Sequence, residues 1–164
     1  MNCTCQEFET HYPHCTTCSD GKIITAQENK RKYILNNPSK QRVCKVTVDD
    51  CVITSQDQCK CDYLFIVCSP EQVEDKNCQS SEQLYFIELK GKDFIHAVEQ
   101  LTQTIEHFKP PINQAQVFGR VVLSKSPPVK NIETSTKVRR LRELLRKYQG
   151  DFDYGTRQYE KDCI

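Results

Sequence analysis

The 164-residue sequence predicts an α/β protein, α+β-like in part, in which helices flank a mixed β-sheet. The middle of the chain holds several apolar runs with the two-residue period of strands, and a helical pattern directly follows one of them. The length favours a single domain over 1–164. The chain is 37% hydrophobic and 27% charged, and it lacks the apolar run of about 18 residues that a membrane span requires.

The first elements are predicted from local signals. Residues 1–21 are cysteine-rich and turn-like. Thr25-Ala-Gln-Glu28 has the form of a capping box and predicts a helix that runs to about Leu35. The alternation in RVCKVTV, 42–48, predicts a strand, and CVITS, 51–55, is expected to be the return strand after an Asp-Asp turn.

Two longer apolar runs predict central strands at 61–68 and 84–90, because both faces of each run are apolar. Asp93 is a suitable N-cap for a helix over 94–108 with an apolar stripe. The run at 116–125 predicts a further strand, so that a crossover helix joins two strands of one sheet.

A last amphipathic helix is predicted over 135–148, after a core that spans 22–125. Val138, Leu141 and Leu145 are expected to face inward. The outer face is basic and carries Arg139, Arg140, Arg142, Arg146 and Lys147. This face could bind nucleic-acid phosphates without reading sequence, and an ordinary solvated helix face explains it equally well.

Glu88 and Lys90 lie two apart on a predicted strand and therefore share a face. If 61–68 and 84–90 form a hairpin, Asp62 comes beside both of them. Two carboxylates suit Mg²⁺ or Mn²⁺, and the backbone carbonyl of Leu89 could add a ligand. Lys90 could orient or deprotonate a metal-bound water, or stabilise charge in phosphodiester hydrolysis. Ordinary surface residues are the alternative, although an unpaired acid in a buried strand is costly.

Asp62, followed 26 residues later by Glu88-x-Lys90 and then by a helix, resembles the PD-(D/E)XK nuclease superfamily. The resemblance covers roughly 22–125 and implies a restriction-endonuclease-like core, with the two acids as metal ligands and the lysine as a catalytic residue. Cys61 stands where the pattern has proline. The implied function is that of a Mg²⁺-dependent endonuclease. The alternative is an inactive nuclease-fold module that binds nucleic acid or protein and contains a structural zinc.

The same resemblance suggests three further site residues. Some of these nucleases use a glutamate of the first helix as a metal ligand, which would be Glu28 here, although its capping-box position also explains it. The helix after the motif faces the active site in related nucleases, and His96 and Gln100 lie on its polar side. A solvated helix face accounts for these two residues equally well.

The eleven cysteines are an odd number, and the N-terminus lacks the apolar stretch of a signal peptide. We therefore expect reduced thiols and a cytoplasmic protein rather than a full disulfide framework, and a secreted cysteine-rich toxin is disfavoured. The spacings predict a structural zinc, with His11 and His14 as alternative ligands. Unligated thiols or disulfides formed during purification are the other possibilities. The predicted zinc ligands are Cys3, Cys5, Cys15 and Cys18.

The expected partner is nucleic acid, with DNA more probable than RNA because most members of the superfamily cut DNA. The net charge of +1 provides no strong overall field, so binding depends on the local basic helix. A chain of 164 residues leaves little room for a recognition domain. Cleavage of both strands would then need a homodimer or a partner protein that supplies targeting, and no membrane partner is expected.

Overall fold

The computed structural model describes residues 4–68, 82–110 and 114–164. The elements within these ranges are, in chain order, α1 (Thr4–His11), β1 (Thr16–Ser19), β2 (Ile23–Glu28), β3 (Arg31–Asn36), β4 (Val43–Thr47), β5 (Tyr63–Val67), β6 (Glu82–Lys90), α2 (Phe94–Phe108), β7 (Ala115–Leu123), α3 (Val129–Thr134), α4 (Thr136–Lys147), β8 (Phe152–Thr156) and β9 (Gln158–Tyr159). No helix among the described residues is long and apolar enough to cross a bilayer.

The larger sheet has six strands in the order β1-β4-β5-β6-β7-β8. The pairs β1–β4, β4–β5 and β5–β6 are antiparallel, whereas the pairs β6–β7 and β7–β8 are parallel. A parallel pair requires a crossover connection, and α2 supplies it between β6 and β7. The predicted mixed sheet flanked by helices is confirmed, as are the strands expected at 42–48, 61–68, 84–90 and 116–125.

Helices α2 and α4 pack on one face of the six-stranded sheet. Leu101 and Ile105 of α2 and Leu141 and Leu145 of α4 are fully buried in this core. The Asp93 side chain caps α2 by accepting a hydrogen bond of 3.0 Å from the His96 N–H. Both helices begin and end within one residue of the predicted bounds, because their apolar stripes have the helical period and the sheet beneath them is apolar.

The opposite face of the six-stranded sheet is covered by a second, three-stranded sheet in the order β2-β3-β9. Ala26 of β2 and Tyr33 of β3 are completely buried there, and the Tyr33 ring packs edge-on against Phe65 of β5. The fold therefore has three layers, with helices on one side of the central sheet and a small sheet on the other.

The helix predicted over 25–35 is wrong, because this segment forms the β2–β3 hairpin. Asn29 and Lys30 make its two-residue turn, with φ of 45° and 66°. Both residues have a left-handed backbone conformation, and a turn of this kind matches the twist of the two strands that it joins. The burial of Ala26 and Tyr33 against the central sheet outweighs the local capping signal, since packing decides between short alternatives.

Two further predictions are corrected at the N-terminal end. Residues 1–21 are not merely turn-like, since helix α1 and strand β1 form within them. The return strand expected at 51–55 is absent. Instead this segment turns and makes only an isolated bridge between Asp49 and Ile53. Most of the loop predicted at 69–83 falls at residues 69–81, outside the described residues.

Three disulfides tie this end of the chain together, which corrects the expectation of reduced thiols. Half-cystines of α1 and β1, and one from the turn between them, each bond to a cysteine of a later segment. An odd count of cysteines does not reveal such pairing, because some thiols remain free. The bonded pairs are Cys5–Cys68, Cys15–Cys51 and Cys18–Cys44. Among the described cysteines, Cys59, Cys61 and Cys163 are free.

Candidate active site

Asp62 and Glu88 meet at one end of the six-stranded sheet. The antiparallel register pairs Tyr63 with Ile87, which places the two acids opposite each other on adjacent strands. The Asp62 N–H donates to Glu88 Oε2 at 3.1 Å, and the Leu89 N–H donates to Asp62 Oδ2 at 2.8 Å. Each carboxylate is thus anchored to the backbone of the neighbouring segment, which fixes its position.

This environment disfavours charge on both acids. Glu88 is only 2% exposed, and burial raises its pKa well above the usual value, with a further contribution from the Asp62 charge. Burial also raises the pKa of Asp62 to about 6, against the lowering effect of the Leu89 N–H bond. Two close buried carboxylates with raised pKa values are typical of a functional site, since such a pair costs stability.

Lys90 completes the predicted trio at the end of β6. Its positive charge lowers the pKa of both Asp62 and Glu88. The side chain is only partly buried. The structure therefore brings the two acids together, with Lys90 two residues beyond Glu88 on the same strand.

Glu28 reaches the same end of the sheet from the other layer. It is the last residue of β2, directly before the hairpin turn, and its charge contributes to raising the pKa of Asp62. The residue was expected in a helix, yet it approaches the site from a strand. Its register partner Arg31 donates to Ser124 Oγ at 3.1 Å, beside the segment that follows Lys90.

Sequence reasoning missed Asp49 and Lys60. The charge of Asp49 contributes to raising the pKa of both Asp62 and Glu88. The Lys60 ammonium, in a residue that is 8% exposed, lies 3.4 Å from Asp49 and donates to the Ser55 carbonyl at 2.8 Å. Neither residue carries a sequence signal, because one lies in an apparent turn and the other in an apparent loop.

Helix α2 contacts the segment that leads into Asp62. Gln100 Nε2 donates to the Lys60 carbonyl at 2.9 Å, and its Oε1 is buried without a hydrogen-bond partner in the described parts of the chain. The Cys61 N–H donates to Thr104 Oγ1 at 2.8 Å. Proline has no N–H, so the residue that departs from the family pattern makes a bond that proline could not make.

His96 is placed differently from Gln100. Its backbone N–H is the one capped by Asp93, and its ring lies 3.9 Å from the Glu99 carboxylate on the same helix. The side chain is 41% exposed. These contacts fit a helix-surface residue, and they do not link His96 to the acid pair.

The basic face predicted on α4 is exposed, and part of it is already paired with α2. Arg140 lies 2.7 Å from Glu106, and the neighbouring Lys137 forms an ion pair with Glu99. These bridges contribute to holding α4 against α2. The remaining predicted basic residues are exposed, namely Arg139, Arg142, Arg146 and Lys147.

The predicted zinc ligands are not assembled as a set. Cys3 lies outside the described residues, and Cys15 is bonded to Cys51. Cysteines near one another form different groups instead. Within the described ranges, the groups whose ligand atoms all lie within 4.8 Å of one another are Cys5 with Cys44 and Cys68, and Glu9 with Cys18 and Cys44.

Comparisons of the chain with protein-family models, with curated proteins and with solved structures found no match. The resemblance to the PD-(D/E)XK nucleases consequently depends on the residues quoted above and on their placement in this fold.

Proposed function

We propose that this protein is a metal-dependent nuclease that hydrolyses phosphodiester bonds by a PD-(D/E)XK-type mechanism. The observation that supports the proposal is the meeting of Asp62 and Glu88 at one end of two adjacent strands, two residues before Lys90, with both carboxylates held by backbone N–H groups. A structural role is a poor explanation for two buried acids side by side, because they repel each other and lose hydration.

The arrangement of elements also favours the proposal. Strands β4, β5 and β6 form an antiparallel meander, and α2 then crosses to the parallel strand β7. This is the order of strands, helix and strand that the resemblance implies. The family's first helix is replaced here by the β2–β3 hairpin, so the proposed core departs from the pattern at its beginning.

The donor set fits a hard divalent cation. Mg²⁺ commonly takes one or two protein carboxylates and completes its shell with water and phosphate oxygens. Asp62 and Glu88 are the proposed ligands, with the Leu89 carbonyl and Glu28 as further candidates. A bound cation supplies charge neutralisation at the phosphate and a more acidic water. It would also stabilise the ionised forms of two acids whose pKa values burial raises.

The other residues have proposed positioning and electrostatic roles. The Lys90 ammonium provides a positive charge that lowers the pKa of both acids and would stabilise charge that develops on the scissile phosphate. Gln100 has a buried, unpartnered Oε1, which could accept a hydrogen bond from a water at the site. The exposed basic face of α4 would bind the nucleic-acid backbone, with DNA the favoured polymer.

The proposal is tested with a cleavage panel of linear, circular, single-stranded and branched DNA, and RNA, each with Mg²⁺, Mn²⁺ or chelator. We expect Glu88→Gln to abolish metal-dependent cleavage while nucleic-acid binding persists, because the amide keeps the shape and loses the charge. Lys90→Ala should lose cleavage but retain metal binding. Glu133→Gln and Lys92→Ala, at exposed positions, are the matched controls.

Equal cleavage rates for the wild-type protein and Glu88→Gln would show that the active site is wrongly assigned. If the wild-type protein cuts nothing in the panel yet binds nucleic acid or a protein tightly, the inactive binding module replaces the nuclease.

A further inference from the structure

Two of the disulfides lie against each other. The Cys44 sulfur of one is 4.0 Å from the Cys68 sulfur of the other, and Cys5 lies within 4.8 Å of both. Cys18 is bonded to Cys44 and is the fourth member of this group, which we call the four-cysteine cluster. Its four cysteines come from α1, β1, β4 and the residue after β5, so each of four separate segments contributes one sulfur.

We propose that the four-cysteine cluster, Cys5, Cys18, Cys44 and Cys68, is a redox-dependent zinc site. Under oxidising conditions it holds two disulfides, and under reducing conditions its four thiolates bind one Zn²⁺. The proposal is independent of the nuclease assignment, and it changes the zinc ligands predicted from sequence by replacing Cys3 and Cys15 with two cysteines from the sheet.

The sulfur geometry is close to what zinc requires. A tetrahedral site with zinc–sulfur bonds of about 2.3 Å has sulfur–sulfur separations of about 3.8 Å. The Cys44–Cys68 separation of 4.0 Å already matches one edge of that tetrahedron. The two bonded pairs must open after reduction. The Cys18 sulfur lies within 4.8 Å of Cys44 but not of both Cys5 and Cys68, so rotation about its side-chain bonds must also bring it toward the other three sulfurs.

The surroundings also favour a thiolate site. Cys5 and Cys44 are 1% and 0% exposed, so a bound ion would be shielded from water. Glu9 belongs to the second group of possible ligands, with Cys18 and Cys44, but its carboxylate is paired with Arg42. The Arg42 guanidinium therefore neutralises a carboxylate that would otherwise add negative charge beside a site that carries two negative charges with zinc bound.

Reduction has a defined route and balance. Cys18 lies on β1, the edge strand of the sheet, and is partly exposed, which makes its sulfur the accessible one. A reductant dithiol attacks there, releases Cys44 as thiolate, and is itself oxidised to a disulfide when its second thiol displaces Cys18. A second dithiol reduces the Cys5–Cys68 bond in the same way. Zn²⁺ then displaces four protons from the four thiols.

The experiment uses the full chain, reduced with a water-soluble phosphine that takes up one oxygen from water for each disulfide cleaved. After incubation with ZnSO₄ and gel filtration, zinc per chain is measured by mass spectrometry. We expect about one equivalent in the reduced protein and less than about a tenth in the oxidised protein. Co²⁺ in place of Zn²⁺ should give the visible bands of a tetrahedral thiolate site.

Cys44→Ser should lower the retained zinc at least about tenfold, because three thiolates hold the ion far less tightly than four. Cys15→Ser is the matched control, since Cys15 belongs to the disulfide outside the cluster and is already unbonded in the reduced wild-type protein. Zinc should be retained by this variant. Loss of zinc from Cys15→Ser would favour the ligands predicted from sequence and overturn the proposal, as would a reduced wild-type protein without zinc.

Thiol alkylation of the wild-type protein provides a test that does not depend on the folding of any variant. In the reduced, zinc-loaded protein, the four cluster cysteines should be protected while Cys15 and Cys51 react, and peptide mapping identifies both sets. Reaction of the cluster cysteines at the rate of Cys15 would contradict the proposal.

Discussion

Burial disfavours the ionised forms of Asp62 and Glu88, whereas the proposed metal binding requires both acids to be ionised. The pKa of Asp62 is raised from its model-peptide value of 3.8 to about 6 in the folded, metal-free protein. The folded state therefore binds the proton more tightly than the unfolded state. The stability that comes from this tighter proton binding is fully present below the unfolded pKa and is lost as the pH rises through the folded pKa. At neutral pH the ionised Asp62 side chain therefore destabilises the fold.

The first prediction concerns this pair in the absence of metal. In chelator at about pH 8, Asp62→Asn should raise the free energy of unfolding by an amount on the order of 1–2 kcal/mol, because the amide is neutral and can still accept from Leu89. The gain should shrink as the pH falls below about 6. Urea unfolding at several pH values measures both effects.

Asp57→Asn, at an exposed position, is the control for removal of one negative charge. A clear loss of stability in Asp62→Asn at about pH 8, with Asp57→Asn unchanged, would show that the neighbouring residues stabilise the ionised form of Asp62.

The juxtaposition of Asp62, Glu88 and Lys90 was predictable from sequence because two short-range rules fix it. Strand periodicity places two of them on one face, and a hairpin with both ends in register brings in the third. The charge of Asp49 near the acids and its ion pair with Lys60 were not predictable, because both residues lie in an irregular segment whose path depends on tertiary contacts. Sequence patterns contain little information about such paths.

Among the elements, the β2–β3 hairpin shows where local signals fail. A serine- or threonine-type cap followed by glutamate three residues later is a helix signal, and only Thr25 of these residues favours a strand. The turn is made by Asn29-Lys30, and Lys30 is an unusual residue for the second left-handed position, where glycine is preferred. The sequence therefore lacks the strongest hairpin signal.

The second prediction follows from this turn. Lys30→Gly should raise the free energy of unfolding by about 0.5–1 kcal/mol, since glycine adopts positive φ without the steric cost of a side chain. Lys32→Gly, two residues along in β3, should instead lower it by a similar amount, about 0.5–1 kcal/mol, because it weakens a strand. Thermal unfolding compares the two variants. An equal loss in both would mean that the turn is not strained at Lys30.

The third prediction concerns α4 as a nucleic-acid-binding element. Arg142→Ala should weaken DNA binding and reduce the slope of log affinity against log salt by about one, as expected for one lost phosphate contact. Arg140→Ala should have a smaller effect because Arg140 is already paired with Glu106. Titrations at several salt concentrations measure both slopes. Unchanged binding in Arg142→Ala would indicate an ordinary solvated helix face.

For the whole molecule, a buried ion pair joins the C-terminal segment to the central sheet. Arg120 of β7, 3% exposed, donates to both carboxylate oxygens of Asp162 at 2.8 and 2.9 Å. Tyr33 of β3 donates to the same carboxylate at 2.7 Å. The Asp162 carboxylate thus connects a strand of each sheet, and we expect it to contribute strongly to the stability of the fold.

The fourth prediction removes this acid. Asp162→Ala should lower the free energy of unfolding by about 3 kcal/mol, because the buried Arg120 guanidinium loses its bidentate partner and keeps the exposed Asp151 carboxylate. Lys161→Ala should change it by less than about 1 kcal/mol, since that residue makes an exposed ion pair with Asp153 and a distant cation–π contact with Tyr159. Urea unfolding with a fitted slope separates these effects. A loss below about 1 kcal/mol for Asp162→Ala would show that the guanidinium finds water or another partner.

At this scale the sequence predicted the four inner strands of the central sheet and the crossover, but not the edge strands β1 and β8, the second sheet or the disulfides. Strands β5 and β6 are long and apolar, so their periodicity is clear. Strand β9 has only two residues, and it pairs in parallel with a strand more than a hundred residues earlier. Likewise, Cys5 and Cys68 are 63 residues apart, and only the completed fold shows that they meet.

The disulfides also bear on where the protein functions. Structural disulfides are typical of oxidising compartments, whereas a cytoplasmic location favours reduced thiols or bound metal. The zinc form of the four-cysteine cluster would reconcile this arrangement of cysteines with the cytoplasm. The cytoplasmic location stays a prediction, and the redox state of the cluster in cells would decide it.

The parallel pairing of β3 with β9 has a consequence for how the chain folds during synthesis. Lys32 pairs with Gln158, and the Asn36 carbonyl accepts from the Ile164 N–H at 2.9 Å. The ribosome makes β3 early, on the order of ten seconds before residues 158–164 leave the exit tunnel. Until then β3 has an edge without a partner strand, and an unpaired edge can associate with other chains during synthesis.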